Sequence, residues 1–153
     1  MQIKLADGTV LEPITAAANS RYVQGQHRDT LSFVFPATAS YDELDAAFSE
    51  ANCETITIIG AESASIEMPV EQEDGSIVME IQTVLVDAVH KGYTLRCELK
   101  KEPVMVASAT TDEDAVYEDR IFVAMSQRTY TETVMKSLQE TVDLLVLESL
   151  MEG

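Results

Sequence analysis

The side chains best suited to catalysis or metal binding are few in this sequence. The histidines and cysteines are His27, His90, Cys53 and Cys97. They do not form an HxxxH, HxH or CxxC arrangement, whose spacing would bring two ligands to one metal ion. There is also no GxSxG turn to present a nucleophilic serine. The sequence therefore predicts no catalytic residue, no metal site and no cofactor, and indicates a protein that is not an enzyme.

One locally basic segment, SRYVQGQHRD, has the residue types that bind an anionic group. A guanidinium group holds a carboxylate or phosphate through two parallel hydrogen bonds. In the first interpretation the segment contacts an anion or a small ligand. In the second, its cations pair with carboxylates of the same chain and stabilise a loop or edge strand, which the acidic composition favours. The residues concerned are Arg21, Tyr22, His27 and Arg28.

The charge of the chain limits its partners. Lys and Arg number 10 against 27 Asp and Glu, and the net charge is −17. Such a protein repels the phosphates of nucleic acids and of anionic membranes, so we expect neither as a partner. The longest aliphatic run, Leu144 to Leu147, is far shorter than the roughly 20 residues of a membrane span. Two cysteines in apolar segments and no secretion signal at MQIKLADG indicate a reduced, intracellular setting.

Alternation of apolar and polar residues predicts several β-strands. IKLADGTVL is typical of a hairpin, because Asp7-Gly8 accept the positive φ angles of a tight turn. YTLRCELKK shows the clearest alternation, with every second residue apolar. The acidic stretch 61–76 reads as irregular, with a turn at EDGS, and then SIVMEIQTVLVDAV resumes a β pattern. The segment 61–89 is thus predicted to be a hairpin excursion rather than a domain boundary.

Two helices are predicted among these strands. In SYDELDAAFSEANC, Ser40 and Glu43 have the spacing of a capping box, and apolar residues recur at helical intervals over 41–52. Thr129 and Glu132 repeat that spacing before a longer helix. At 153 residues the chain fits one domain. We predict an α+β fold, a mainly antiparallel β-rich domain over 1–128 with one short internal helix, and a long C-terminal helix over 129–151.

The long helix has two apolar sides. A broad face is predicted to pack on the protein's own sheet, with Leu138, Val142 and Leu145 fastening it there. A second stripe, Leu144, Leu147 and Met151, lies on the far side and would expose side chains whose burial stabilises by about 1.5–3 kcal/mol each. Either the helix is buried on both sides within the fold, or the second stripe is an interface with another chain. The second interpretation is preferred and makes Leu144, Leu147 and Met151 the predicted oligomer interface.

The chain as a whole resembles a family of small proteins encoded in prophage tail modules of Gram-positive bacteria. The resemblance lies in RYVQGQHRDTLSFVF, NCETITI, HKGYTLRCELKKEPV and EDRIFVAMSQRTYTETV, followed by the leucine-rich helix. The stretch from Ala61 to Val89 is longer than this pattern leads one to expect. The resemblance implies a structural or assembly protein of a phage tail or baseplate, and it supplies no catalytic residues.

These observations lead to one functional hypothesis and two alternatives. The leading hypothesis is a non-enzymatic phage structural or assembly protein whose C-terminal helix oligomerises or docks on another phage structural protein. Its expected location is the bacterial cytoplasm during assembly, with the virion as a second site. The alternative is a small-ligand or carbohydrate-binding module, for which the chain has few aromatic residues. A hydrolase associated with phage lysis ranks last, because the required carboxylate or metal pattern is missing.

Overall fold

Glycine-containing turns connect three of the hairpins. Gly8 (φ +90°) and Gly75 (φ +82°) lie in the left-handed region that glycine reaches at little steric cost. Between them in sequence, Gln24 (φ 48°) and Gly25 (φ +83°) form a two-residue connection with positive φ at both positions, as in a type I′ turn. The hairpin predicted at Asp7-Gly8 and the turn predicted at EDGS are both present.

Residues 1–152, which the computed structural model describes, form eight β-strands and two α-helices. The predicted α+β fold is confirmed, and every strand pairing is antiparallel. The elements are β1 (Gln2–Lys4), β2 (Val10–Leu11), β3 (Thr15–Val23), β4 (Gln26–Pro36), α1 (Tyr41–Ala47), a 3-10 turn (Asn52–Glu54), β5 (Thr55–Glu71), β6 (Ile77–Lys91), β7 (Leu95–Ala107), β8 (Val116–Ser126) and α2 (Tyr130–Glu152).

The strands form two four-stranded sheets that share one core. The strand orders are β2-β1-β5-β6 and β3-β4-β8-β7. Ile3 and Ile58 are register partners in the first sheet, and Phe33 and Val123 are partners in the second. All four side chains are buried in one continuous cluster. The two sheets therefore cover each other's apolar faces.

Helix α1 closes this core and is shorter than predicted. Ser40 caps it by accepting a hydrogen bond from the backbone N–H of Glu43, at 3.3 Å. The predicted helix 41–52 ends at Ala47, and the chain then forms the separate 3-10 turn that buries Cys53. Phe48, at the C-terminal end of α1, lies 1% exposed between aromatic rings of β4.

The β5–β6 hairpin extends beyond the core. Residues 61–71, which the sequence pattern left irregular, belong to strand β5, and the pairing with β6 continues to Glu71 opposite Ile77. Ile58 and Ala88 are the last core residues of this hairpin before it extends outward. We call residues 62–86 the projecting ribbon; at about 3.3 Å per residue its strands reach roughly 30 Å from the core.

A β-bulge marks the point where the projecting ribbon leaves the core. The register shifts between Ile58 and Glu62, and Gly60 adopts a φ of +66° there. The carboxylate of Asp87 accepts a hydrogen bond from the Gly60 backbone N–H at 2.9 Å. Bulges bend a strand and increase its twist, so this one bends the hairpin at the point where it leaves the core.

Candidate functional site

Helix α2 begins at a complete capping box. The backbone N–H of Glu132 donates to the Thr129 hydroxyl at 3.2 Å, and the backbone N–H of Thr129 donates to the Glu132 carboxylate at 3.2 Å. Two backbone donors at the start of the helix are thereby satisfied. The spacing of Thr129 and Glu132 predicted this helix start.

A buried arginine joins the first turn of α2 to the β-sheet. Arg28 of β4 is 4% exposed and donates from Nη1 and Nη2 to the two carboxylate oxygens of Glu132, at 2.6 and 3.0 Å. Its Nε and Nη1 also donate to the backbone carbonyls of Val23 and Gln127. We call this arrangement the Arg28–Glu132 anchor. It holds the base of α2 to the end of the second sheet.

The anchor lowers the pKa of Glu132 to about 2, mainly because the Arg28 guanidinium hydrogen-bonds to the charged carboxylate. The ordinary value is 4.5. Because the pKa is lower in the folded state, the charged Glu132 carboxylate contributes its full stabilisation above pH 4.5. This contribution is lost as the pH falls from 4.5 towards 2.

We expect the Glu132 carboxyl carbon to titrate with a midpoint near pH 2 by NMR. The Thr129 amide signal should move over the same range, because Thr129 donates to that carboxylate. The measurement needs a dilute sample, since the isoelectric point is near 4.2. In Arg28→Met the midpoint should move up towards 4.5; an unchanged midpoint would show that another group lowers the pKa.

A second set of charges surrounds the base of α2. Lys136 and Arg128 both form ion pairs with Glu50, and Lys136 also lies 3.9 Å from Glu140. They line an open groove that contains Glu54 as well. Acidic and basic groups alternate in this groove, so it favours neither an anion nor a cation.

Beyond Lys136 the helix leaves the body of the protein. Every residue of α2 is exposed or only half-buried. The prediction that the broad face of α2 packs on the protein's own sheet is wrong, since Leu138 is 56% exposed and Val142 and Leu145 are comparably open. The physical reason is that the two sheets and α1 already enclose the core among themselves, so the core closes without α2.

The predicted oligomer-interface residues lie on the opposite side of the same helix. Leu144 and Leu147 are 57% and 54% exposed, and Met151 is more open still. The alternative in which α2 is buried on both sides within the fold is therefore wrong. Both apolar sides of α2 face solvent in the single chain.

The predicted anion-binding residues lie on the β3–β4 hairpin and do not form one site. Arg21 donates to Glu98 at 2.5 Å and to the Ser32 hydroxyl, while Arg28 belongs to the anchor. Tyr22 and His27 pack edge to face across the hairpin, with ring centroids 5.2 Å apart. Both guanidinium groups are thus engaged by carboxylates of the same chain, in agreement with the second interpretation of this segment.

The thiol groups are placed poorly for chemistry. Burial raises the pKa of Cys53 to about 12, so its reactive thiolate form is scarce at neutral pH. Cys97 is half-buried and hydrogen-bonds to the Ala124 carbonyl and the Ser126 hydroxyl. Within residues 1–152, His, Cys, Asp and Glu side chains form no group of three that could hold a metal ion.

Comparisons with protein-family models, curated proteins and solved structures gave no match. In the part of the chain that the structure describes, no helix combines the length and the apolar character needed to cross a membrane. The candidate site is thus defined by geometry: a helix anchored at its base, with two uncovered apolar sides.

Sequence reasoning missed the Arg28–Glu132 anchor. Its two residues are 104 positions apart, so no local spacing connects them. The available signals were indirect: an arginine expected to pair with a carboxylate of the same chain, and a capping-box glutamate. Neither signal identifies the partner of the other.

Proposed function

We propose that this protein is a non-enzymatic structural or assembly protein that associates through helix α2 with the α2 helices of other copies of the same chain. The observation that carries the proposal is a 23-residue helix whose two apolar sides are both exposed. The large apolar residues concerned are Met135, Leu138, Val142, Leu144, Leu145, Val146, Leu147, Leu150 and Met151.

The energetic argument follows from burial. Covering each large apolar side chain stabilises an assembly by about 1.5–3 kcal/mol before the entropy of association is subtracted. Most of the stability of a helix in a protein comes from packing of its apolar face rather than from intrinsic helix propensity. The anchor supports only the base of α2, so the outer turns gain most from contact with a neighbour.

The distribution of charge on α2 favours another copy as that neighbour. Arg128 and Lys136 lie at the base of the helix, whereas Asp143, Glu148 and Glu152 lie in its outer half. Antiparallel packing of two α2 helices keeps their acidic outer halves apart and places each beside the mixed charges at the base of the other. It also aligns the helix dipoles favourably.

The two apolar sides require two neighbours. Val142 and Leu147 lie on nearly opposite sides of the helix, because successive residues step by about 100°. A single antiparallel pair covers one side, so we propose that each α2 contacts a helix on both sides. The smaller side is the stripe Leu144, Leu147 and Met151.

The family resemblance supplies the proposed setting. It supports a role in the assembly of a prophage tail or baseplate, with the bacterial cytoplasm as the place of assembly. Another phage structural protein is the alternative partner for α2. The small-ligand or carbohydrate alternative loses support, because Arg21 and Arg28 are already paired.

The proposal is tested with Leu144→Glu combined with Leu147→Glu. The wild-type protein should have a mass above 16.8 kDa by light scattering, and the double variant should have a lower mass. The unfolding midpoint of the two-sheet domain, residues 1–128, should not change, because its core does not include α2. Helical circular dichroism should fall where the released helix frays.

A matched control places the same two charges on the polar flank of the helix. Ser137→Glu combined with Thr141→Glu should leave the mass unchanged, because these side chains separate the two apolar sides. A wild-type mass of 16.8 kDa at all concentrations would contradict the proposal. So would an equal loss of mass in both double variants.

A further inference from the structure

The free edge of β6 is a second uncovered surface. In the order β2-β1-β5-β6, one side of β6 pairs with β5, and no strand of the described residues 1–152 lies beside the other. At the hairpin turn, Gln72 donates its backbone N–H to the Ser76 carbonyl at 2.7 Å. Ser76 therefore directs its carbonyl towards the β5 side. In an antiparallel pair the backbone groups of successive residues point alternately towards and away from the partner strand. Those of every second residue from Ile77 to Leu85 thus point away from β5. Such groups can pair with another strand.

The other edge strands have features that oppose such pairing. β7 contains Lys100, Lys101 and Pro103, and β2 is only two residues long. β3 carries Arg21 and has only small or polar residues before it. In contrast, the sequence of β6 from 77 to 86, IVMEIQTVLV, has no proline and one charged residue, Glu80. Charge, proline and short length are the usual protections of an exposed edge.

Both faces of β6 are apolar in the projecting ribbon. Ile77, Met79, Ile81 and Leu85 lie on one face, and Ile81 is 74% exposed. Val78, Val84 and Val86 lie on the other face. Apolar residues on both faces are typical of a strand inside a sheet. A two-stranded ribbon is marginally stable alone, and additional strands stabilise it.

We propose that β6 pairs antiparallel with β6 of a second copy around a two-fold axis at Ile81, which gives a four-stranded ribbon in the order β5-β6-β6-β5. A two-fold axis perpendicular to the sheet keeps equivalent residues on the same face. The outward backbone groups of Ile77 then meet those of Leu85 in the second copy.

The side-chain pairs of this register are self-complementary. Val78 lies opposite Val84, and Glu80 lies opposite the uncharged Gln82. Moving the axis by one residue to Glu80 would place two carboxylates opposite each other, which destabilises a sheet. The net charge of −17 opposes self-association in general, but this strand segment carries only one charged residue, Glu80.

The proposed contact has room to form. Antiparallel pairing around Ile81 sends the bodies of the two copies in opposite directions, each at its own end of the shared ribbon. The interface uses no residue of α2, so it does not depend on the helix contacts proposed above. It is therefore tested in a helix-variant background that places charges on both apolar sides of α2: Leu138→Glu and Leu145→Glu on the broad side, with Leu144→Glu and Leu147→Glu on the smaller side.

The first test is a cross-link at the two-fold axis. In that background, with Cys97→Ser to remove the half-buried thiol, Ile81→Cys should form a disulfide with the same residue of a second copy under mild oxidation. Equivalent backbone positions at such an axis lie within disulfide range. Cys53 is buried and unreactive.

The control is Ile66→Cys, on β5 and one strand away from the free edge of β6. We expect most of the Ile81→Cys chain to appear at twice its mass on a non-reducing gel, and little of the Ile66→Cys chain. Absence of the Ile81→Cys product, or equal cross-linking of both variants, overturns the proposal.

The second test removes one outward backbone donor. Ile81→Pro deletes an N–H that does not face β5, just as Pro69 is accommodated in β5 opposite Met79. The mass in the helix-variant background should fall from twice 16.8 kDa to 16.8 kDa. An unchanged mass with unchanged β-type circular dichroism overturns the proposal; if the variant loses its β-structure, the cross-link decides.

Discussion

Replacing Phe48 by alanine should lower the free energy of unfolding by about 3–5 kcal/mol, the usual cost of deleting a buried phenyl ring. Phe48 contacts both phenylalanines of β4 in the core, with ring centroids 5.6 Å from Phe33 and 5.9 Å from Phe35. Its removal leaves a cavity where α1 closes the two sheets. Urea denaturation followed by circular dichroism measures the change, against a total of about 5–15 kcal/mol for an ordinary domain.

Phe122→Ala is the matched control for this effect. Phe122 lies in β8 but is only half-buried, with Lys100 Nζ 5.5 Å from its ring centroid. Truncating it removes the same atoms from a site that water already reaches, so we expect a clearly smaller loss. If both substitutions cost the same, α1 does not close the core in the way described.

Local features of the fold were predictable because neighbouring residues determine them. Gly8 and Gly75 mark their turns through backbone freedom, and the spacing of Thr129 and Glu132 marks the start of α2. Ser40 likewise caps α1. In each case the physical cause lies within a few residues of its effect, so the sequence alone carries the information.

The bulges were not predictable in the same way. Alternation in YTLRCELKK suggested one regular strand, yet the pairing of β7 with β8 shifts between Arg96 and Glu98. Cys97 is therefore half-buried, whereas Leu95 is buried. A bulge inserts one residue without changing the local composition, and only the partner strand reveals it.

The sequence pattern also could not show which surface, if any, covers α2. An apolar face such as Leu138 and Leu145 indicates burial but does not identify what covers it. The prediction assigned that role to the protein's own sheet, which in fact packs on the other sheet and on α1. Residues 61–71 were misread because acidic residues obscured the alternation, while pairing with apolar β6 maintains the strand.

Replacing Arg28 by methionine should lower the free energy of unfolding by about 3 kcal/mol. The Val23 and Gln127 carbonyls each lose a charged donor, and such hydrogen bonds contribute about 1.5–3 kcal/mol each. Glu132 loses its partner as well, so the first turn of α2 should loosen. Urea denaturation measures the stability, and hydrogen exchange at the Thr129 and Glu132 amides measures the helix start.

Arg21→Met is the control that tests whether burial of the arginine accounts for the larger loss of stability in Arg28→Met. Arg21 also pairs with a carboxylate, Glu98, but its side chain is 37% exposed against 2% for Arg28. Partly exposed ion pairs contribute about 0–1 kcal/mol, so Arg21→Met should change stability little and leave amide exchange at Thr129 unaltered. If Arg28→Met proves no more costly than Arg21→Met, the base of α2 is held by Lys136 and Glu50 instead, and the anchor has no special role in presenting the helix.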